Sequence, residues 1–181
     1  MKNKLLSIIF SILFLPNALA ENLLIEAKNI SLDKNTEISI FRDEVIVTTE
    51  DNNIIKSDYV EYNKKKGFLK LKNNIVVKDN QNNIIETDYA EYYVSDKLFK
   101  SKGPTKITTS EEYVIQGEDI DFDNKKRFIN SKKSSIIKDK DENKIFLENF
   151  EYQIVDNIFK SIGFVKINDN MGNVYEFLKF I

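Results

Sequence analysis

Carboxylates are the side chains in this sequence whose spacing could support chemistry. Asp58, Asp88, Glu118 and Glu148 recur at 30-residue intervals, and Glu61, Glu91, Asp121 and Glu151 each stand three residues further on. Paired carboxylates can hydrolyse glycosides, and acidic ladders can hold calcium. If each repeat supplies two strands, equivalent acids lie roughly 9–10 Å apart along the stack, whereas calcium takes oxygens at about 2.3–2.6 Å. The glycine-rich calcium repeat is absent as well. A catalytic pair has no reason to recur in every unit, but a solvated strand corner does, so the acids read as surface groups. Histidine and cysteine are both absent, which removes the usual zinc ligands, the commonest general base and the thiol nucleophile. The expectation is a protein that is not an enzyme and carries no cofactor or metal.

The interval that sets the acids also sets the apolar residues. One column reads Ile25, Ile55, Ile85, Ile115, Ile145 and Tyr175, and a second Ile30, Val60, Ala90, Ile120 and Phe150. A third is Leu32, Tyr62, Tyr92, Phe122 and Tyr152, a fourth Ile38, Phe68, Leu98, Phe128 and Ile158, and a fifth Val47, Val77, Ile107, Ile137 and Ile167. Such columns require a stacked core, because each unit has an apolar face that only its neighbours can cover.

Strand is the expected conformation almost throughout. A typical unit runs from Ile54 to Tyr62, turns through Asn63-Lys64-Lys65-Lys66-Gly67, returns from Phe68 to Lys78 and turns again at Asp79-Asn80-Gln81-Asn82-Asn83. β-Branched and aromatic residues fill the segments, and residues tolerant of turn conformations separate them. Parity adds a bend to each strand. Ile55 and Ser57 are odd-numbered while Val60 and Tyr62 are even, so one extra residue enters at Ser57-Asp58 and at its equivalents Thr87-Asp88, Gly117-Glu118 and Leu147-Glu148. The return segment is interrupted at Asn73-Asn74, Gly103-Pro104 and Gly163-Phe164, and Pro104 suits a corner rather than a ladder. About ten bent antiparallel strands in two facing sheets follow, an elongated all-β stack on the order of 50 Å long. The sheets meet along one side and splay along the other, which leaves either an apolar trough or an ordinary filled sandwich between them.

Residues 1–20 read as an export signal: Lys2 and Lys4, then an apolar run from Leu5 to Leu15, then Pro16 and the cleavage pattern Ala18-Leu19-Ala20. An uncleaved anchor is the alternative, though the run is short of the roughly 20 residues of a membrane span. The expected domain is residues 21–181, held without disulfides. Losing Lys2 and Lys4 from the 27 basic residues leaves 25 against 29 acids, a balance that does not suggest nucleic-acid binding. Lys64-Lys65-Lys66 reads as a solvated turn.

The recurring unit resembles the OstA-like lipopolysaccharide-transport family. The resemblance lies in Ile55-Lys56-Ser57-Asp58-Tyr59-Val60-Glu61-Tyr62 followed by Asn73-Asn74-Ile75-Val76-Val77, and in Ile85-Glu86-Thr87-Asp88-Tyr89-Ala90-Glu91-Tyr92 followed by Gly103-Pro104-Thr105-Lys106-Ile107. The family's Gly-Asn-Val step is degraded here to Asp43-Glu44-Val45, Asn73-Asn74-Ile75 and Gly163-Phe164-Val165. Within the family, the tyrosine-rich strands and Gly117-Glu118-Asp119-Ile120-Asp121-Phe122-Asp123 look more like the N-terminal domain of LptD, whereas the length suits a free protein such as LptA. The stop at Phe180-Ile181, within the first strand of a further unit, is expected of a fragment that lacks a following β-barrel.

What the resemblance implies is a periplasmic β-jellyroll that carries lipopolysaccharide, with lipid A acyl chains in the trough and sugars in water. It also implies docking to like jellyrolls by edge-strand pairing and, if a barrel follows, work with the outer-membrane assembly machinery. Candidate trough residues are Ile55, Val60, Tyr62, Phe68, Val77, Ile85, Tyr92, Leu98, Ile107, Ile115, Ile120, Phe122, Phe128, Ile137, Ile145, Phe150, Tyr152, Ile158 and Ile167. A secreted adhesive solenoid would share the repeats and the leader but would need no trough.

Overall fold

The first strand of a unit bends in the middle because the chain cannot keep its apolar side inward across an extra residue without changing sheet, and the return strand bends at left-handed residues while keeping its parity. The computed structural model describes residues 23–33 and 35–180; the leader expected at residues 1–20 lies outside the described residues. Sixteen strands form one continuous antiparallel hydrogen-bonded system among the described residues. They are β1 (Leu24–Glu26), β2 (Asn29–Asp33), β3 (Ile38–Thr48), β4 (Ile54–Asn63), β5 (Phe68–Lys78), β6 (Ile84–Tyr93), β7 (Leu98–Ser101) and β8 (Pro104–Thr108). The series continues with β9 (Val114–Glu118), β10 (Asp121–Asp123), β11 (Phe128–Ser131), β12 (Ser135–Lys138), β13 (Lys144–Leu147), β14 (Phe150–Gln153), β15 (Ile158–Asn168) and β16 (Val174–Phe180). The protein is an all-β, elongated β-jellyroll with two facing sheets.

Each of the pairs β1–β2, β7–β8, β9–β10, β11–β12 and β13–β14 is one bent strand interrupted at its corner. The longer β3, β4, β5, β6, β15 and β16 run through the corner in one piece. The bend in β4 falls where parity places it: pairing with β5 shifts between Lys56 and Tyr59, and Ser57 and Val60 both point inward. On β5 the corner is made by Asn73 and Asn74, both left-handed with φ of 64° and 51°. Asp43 and Glu44 do the same on β3, and Gly103 and Gly163 later in the chain. Asparagine and glycine tolerate this region.

Small hydroxyl residues line the inside of the seam, where the ladder is broken. Ser57 donates to Lys72 O at 2.8 Å, Thr87 to Pro104 O at 3.0 Å, Ser131 to Glu118 O at 2.7 Å and Ser161 to Asn149 O at 2.6 Å. They satisfy carbonyls that the corner strips of strand partners and leave room for the sheets to converge.

The first sheet consists of the half-strands beginning with β1 and ends, away from the seam, in a row of five-residue turns. In each, the residue opening the turn binds the residue closing it: Thr49 accepts from Asn53 N at 3.2 Å, and Asp79 accepts from Asn83 N at 2.9 Å. The closing asparagines also link successive turns. Asn53 Oδ1 accepts from Asn80 N at 3.1 Å, Asn83 Oδ1 from Ser110 N at 3.0 Å and Asn143 Oδ1 from Asn170 N at 2.9 Å. Tyr113 stands where the next asparagine would be, so that link is lost there and its ring is free to turn inward.

Candidate functional site

Two rows of inward side chains face each other from end to end of the molecule. In the first sheet the strand register runs Ile25, Val47, Ile55, Val77, Ile85, Ile107, Ile115, Ile137, Ile145, Ile167 and Tyr175, each opposite the next. The first and fifth sequence columns therefore interleave into a single row. In the second sheet the register runs Ser39, Tyr62, Leu69, Tyr92, Phe99, Phe122, Ile129, Tyr152 and Phe159. Val60, Ile120 and Phe150 lie buried nearer the seam.

Most of the candidate trough residues lie in these rows. Ile55, Val60, Val77, Ile85, Tyr92, Ile107, Ile115, Ile120, Phe122, Ile137, Phe150 and Tyr152 are buried in one continuous apolar cluster, with Tyr62, Ile145 and Ile167 half-buried against it. Phe68, Leu98, Phe128 and Ile158 do not line the interior. They sit on the outer face of the second sheet, opposite Tyr93, Tyr93, Asp123 and Gln153 respectively. The cause is the left-handed residue that closes each turn, Gly67 (φ 54°), Lys97 (52°), Arg127 (53°) and Asn157 (53°). The strand restarts one residue out of step, so Phe68 packs on the outward Tyr93 ring at 5.1 Å. The inward positions are Leu69, Phe99, Ile129 and Phe159, and the constant odd parity of Leu69, Leu71, Ile75 and Val77 is the signal that identifies them.

In this structure the interior is closed, because the two rows pack into one core rather than standing apart. Its side away from the seam is a mouth between two rows of turns, and polar side chains bridge that mouth. Lys97 Nζ lies 2.7 Å from Asp51 Oδ1 and 3.6 Å from Glu50. Asn124 Nδ2 donates to Asp51 Oδ2 at 3.3 Å and its Oδ1 accepts from Arg127 at 2.7 Å. Arg127 reaches on to Asp79 at 3.7 Å and donates to Gln81 Oε1. Further along, Tyr113 crosses the mouth to meet Phe159 edge-on, with ring centroids 5.4 Å apart.

The charges register this geometry. The hydrogen bond to Asp51 holds the Lys97 ammonium above its ordinary pKa. Burial, with the negative field of Asp51 and Glu50, pushes the Tyr92 hydroxyl up to about 12. By contrast, the acid columns lie outside. Asp58 accepts from Asn74 Nδ2 at 2.7 Å, Lys133 reaches Glu118 at 3.2 Å, and Asp121 binds Lys100 at 2.9 Å. Their work is to hold corners and outer ladders.

Inward residues are exposed at both ends of the described residues. Ile30 and Leu32, inward residues of β2, are 63% and 60% exposed, and Tyr175 and Phe177 of β16 are 46% and 44% exposed. Among the described residues β2 pairs only with β3, and β16 only with β15, so each end presents a free edge.

Two bent sheets hinged on a polar seam around an end-to-end apolar interior define an OstA-like lipopolysaccharide-transport domain. The family model for lipopolysaccharide assembly, LptC-related, matches residues 20–133. The chain belongs to that family. No curated protein matches it. Among solved structures, LptH of Pseudomonas aeruginosa, described as the LptA homologous periplasmic component of the lipopolysaccharide transport device, is 10% identical over 87% of this chain and 94% of that one, with a TM-score of 0.32. The TCP10 domain of Danio rerio CPAP, solved with a STIL peptide, is 10% identical over 84% and 97%, with a TM-score of 0.17. Likenesses at this level carry no functional weight.

Proposed function

We propose that this chain is a non-enzymatic periplasmic carrier in lipopolysaccharide export, delivered by the leader at residues 1–20, whose domain at residues 21–181 shields lipid A acyl chains between its two sheets. The observation that carries the reading is the pair of apolar rows that runs the length of the described residues, interrupted in the second sheet at Ser39. Each CH₂ kept from water is worth about 0.8 kcal/mol, so a continuous apolar path lowers the cost of moving acyl chains through water. Contacts from Ile, Val, Phe and Tyr are non-directional, which suits sliding cargo. The free edges of β2 and β16 suit strand addition by neighbouring jellyrolls.

Because the interior is closed here, loading requires the sheets to part at the mouth while the seam stays joined. Membership of the LptC-related family supports a module of the LptA or LptC kind. The reading the sequence favours, the N-terminal domain of LptD, rests on the tyrosine-rich strands and the Gly117 to Asp123 stretch, and the LptA-like reading fits equally. Fractionation of cells separates them, since an LptD-like protein sits in the outer membrane with its barrel.

A photo-crosslinking residue at Phe122 or Ile129 is expected to capture lipopolysaccharide in cells, and one at the outward Phe128 is not. Capture of protein partners alone at Phe122 would instead favour an adhesive repeat protein.

A further inference from the structure

At the first two crossings of the mouth the facing lips carry opposite charge. Turns of the first sheet contribute Glu50, Asp51, Asp79, Glu111 and Glu112. Of the second-sheet turns that face them, 93–97 contributes Lys97 with Asp96 and 123–127 contributes Lys125, Lys126 and Arg127 with Asp123, while 153–157 carries Asp156 and no cation. Neither bias follows from the apolar columns, since turn residues bury little. The lips touch through cations: Lys97 on Asp51 at 2.7 Å and Arg127 on Asp79 at 3.7 Å. Opening the mouth therefore strands cations on one side and acids on the other.

We infer that the basic lip is a headgroup site, where Lys97 and Arg127 exchange Asp51 and Asp79 for the phosphate groups of an acylated phosphoglycolipid as its chains enter between the sheets. The inference rests on the carrier reading and adds the atoms that recognise the headgroup. A lipid with its tails in the interior and its sugars in water puts the junction between them at this mouth, level with the two side chains. Arg127 has a donor to spare: its Nε is buried without a hydrogen-bond partner, and a guanidinium grips phosphate in a two-point fork. Lys97 is about a quarter exposed, so its ammonium can be reached from outside the mouth. Asp79 needs no cation to stay satisfied, because it already accepts from Gln81 N at 2.8 Å, Asn83 N at 2.9 Å and Asn83 Nδ2 at 2.7 Å. Its release of Arg127 leaves no buried orphan. Beyond Arg127 the lips meet through Tyr113 and Phe159 instead, so the charged exchange belongs to the first two crossings.

The test compares binding of bisphosphorylated lipid A and of the same lipid A stripped of its phosphates, both in detergent micelles, to the purified full chain. The wild type is expected to prefer the phosphorylated form by about tenfold or more, as charge-assisted bonds to phosphate allow. A variant with Lys97→Gln and Arg127→Gln removes both cations from the crossings, and is expected to lose the preference yet bind the stripped lipid as before. Lys97→Gln alone, a milder change, is expected to lose part of it. Equal binding of the two lipids by the wild type, or an undiminished preference in both variants, overturns the headgroup site and leaves the carrier reading standing. No binding of either lipid by the folded wild type overturns both. Competition by inorganic phosphate that displaces the stripped lipid as well as the phosphorylated one also counts against a headgroup site.

Discussion

Tyr152 and Phe159 stack face to face on neighbouring strands of the second sheet, their ring centroids 4.0 Å apart and their planes 10° apart. Tyr113 reaches across from the first sheet to meet both edges, at 6.5 and 5.4 Å. This is where the two sheets are joined away from the seam by apolar rather than ionic contact. Burial pushes the Tyr152 hydroxyl up to about 12, helped by the charge of Glu111 and by Tyr113. Tyr113→Ala and Phe159→Ala are expected to be coupled by about 0.5–1.5 kcal/mol in a double-mutant cycle read by urea unfolding. Additive losses would mean that the rings touch without holding the sheets together.

Neighbouring residues Phe68 and Leu69 point to opposite sides, and they are expected to respond oppositely to their size. Leu69 is fully buried, so Leu69→Ala should cost about 2–5 kcal/mol. Phe68 lies half-buried on the outer face against Tyr93, and Phe68→Ala should cost about 1 kcal/mol, the order of one exposed aromatic contact. Equilibrium denaturation of the two variants gives the comparison. A larger loss at Phe68 would contradict the inward and outward assignment.

How far the sequence foretold this depends on which residues carry period and which carry parity. Ile55, Ser57, Val60 and Tyr62 revealed the corner, because an apolar pattern that changes parity must bend. Phe68, Leu98, Phe128 and Ile158 misled because their 30-residue column is as regular as a core column. A left-handed turn residue throws them outward, and a positive φ at Lys97 or Arg127 has no signature in residue type. Of the turn ladder, the sequence shows the turn from Asp79 to Asn83, which reads as ordinary turn composition until coordinates bring Asn53 to Asn80 N. The contact of Lys97 with Asp51 follows no repeat at all, since it depends on how the two sheets are set against each other.

Gly103 isolates the cost of the corner conformation. Its φ is +85° and a Cβ there would meet nothing within 4 Å. Gly103→Ala is therefore expected to cost about 1–2 kcal/mol from backbone strain alone. Gly163, with φ of +116°, would add a close approach to the Glu148 carboxylate, so Gly163→Ala should cost at least as much. Thermal melts of the two variants check the order.

Stability should fall on the acid side. The Lys133 hydrogen bond holds Asp119 below its ordinary 3.8, and the Asn173 side chain does the same for Asp169. For Glu91, burial pushes upward but the Lys102 ammonium and Tyr93 hydroxyl outweigh it and hold the carboxyl below 4.5. Each folded-state value is depressed, so its contribution is complete above the unfolded value and is lost as pH falls through the folded one. Melting temperature is expected to hold down to about pH 5 and then decline, with a shallower decline in Glu91→Gln. Lys97 runs the other way. Its raised value means that its contribution is present below 10.5 and lost only at more alkaline pH, so the mouth contact persists at neutral pH.

The free edge of β16 yields the last expectation. Val174 opens that strand opposite Asn168, 54% exposed and with β15 on one side only. Proline at the start of an edge strand removes an N–H while sparing the interior ladder, and terminal strands open at low free-energy cost. Val174→Pro should therefore leave the unfolding midpoint of the isolated domain nearly unchanged while weakening its end-to-end association with a second jellyroll. Sedimentation with a partner domain and thermal melts of the domain alone give the two readings. Equal loss in both would remove β16 as a docking edge and return it to an ordinary outer strand of the fold.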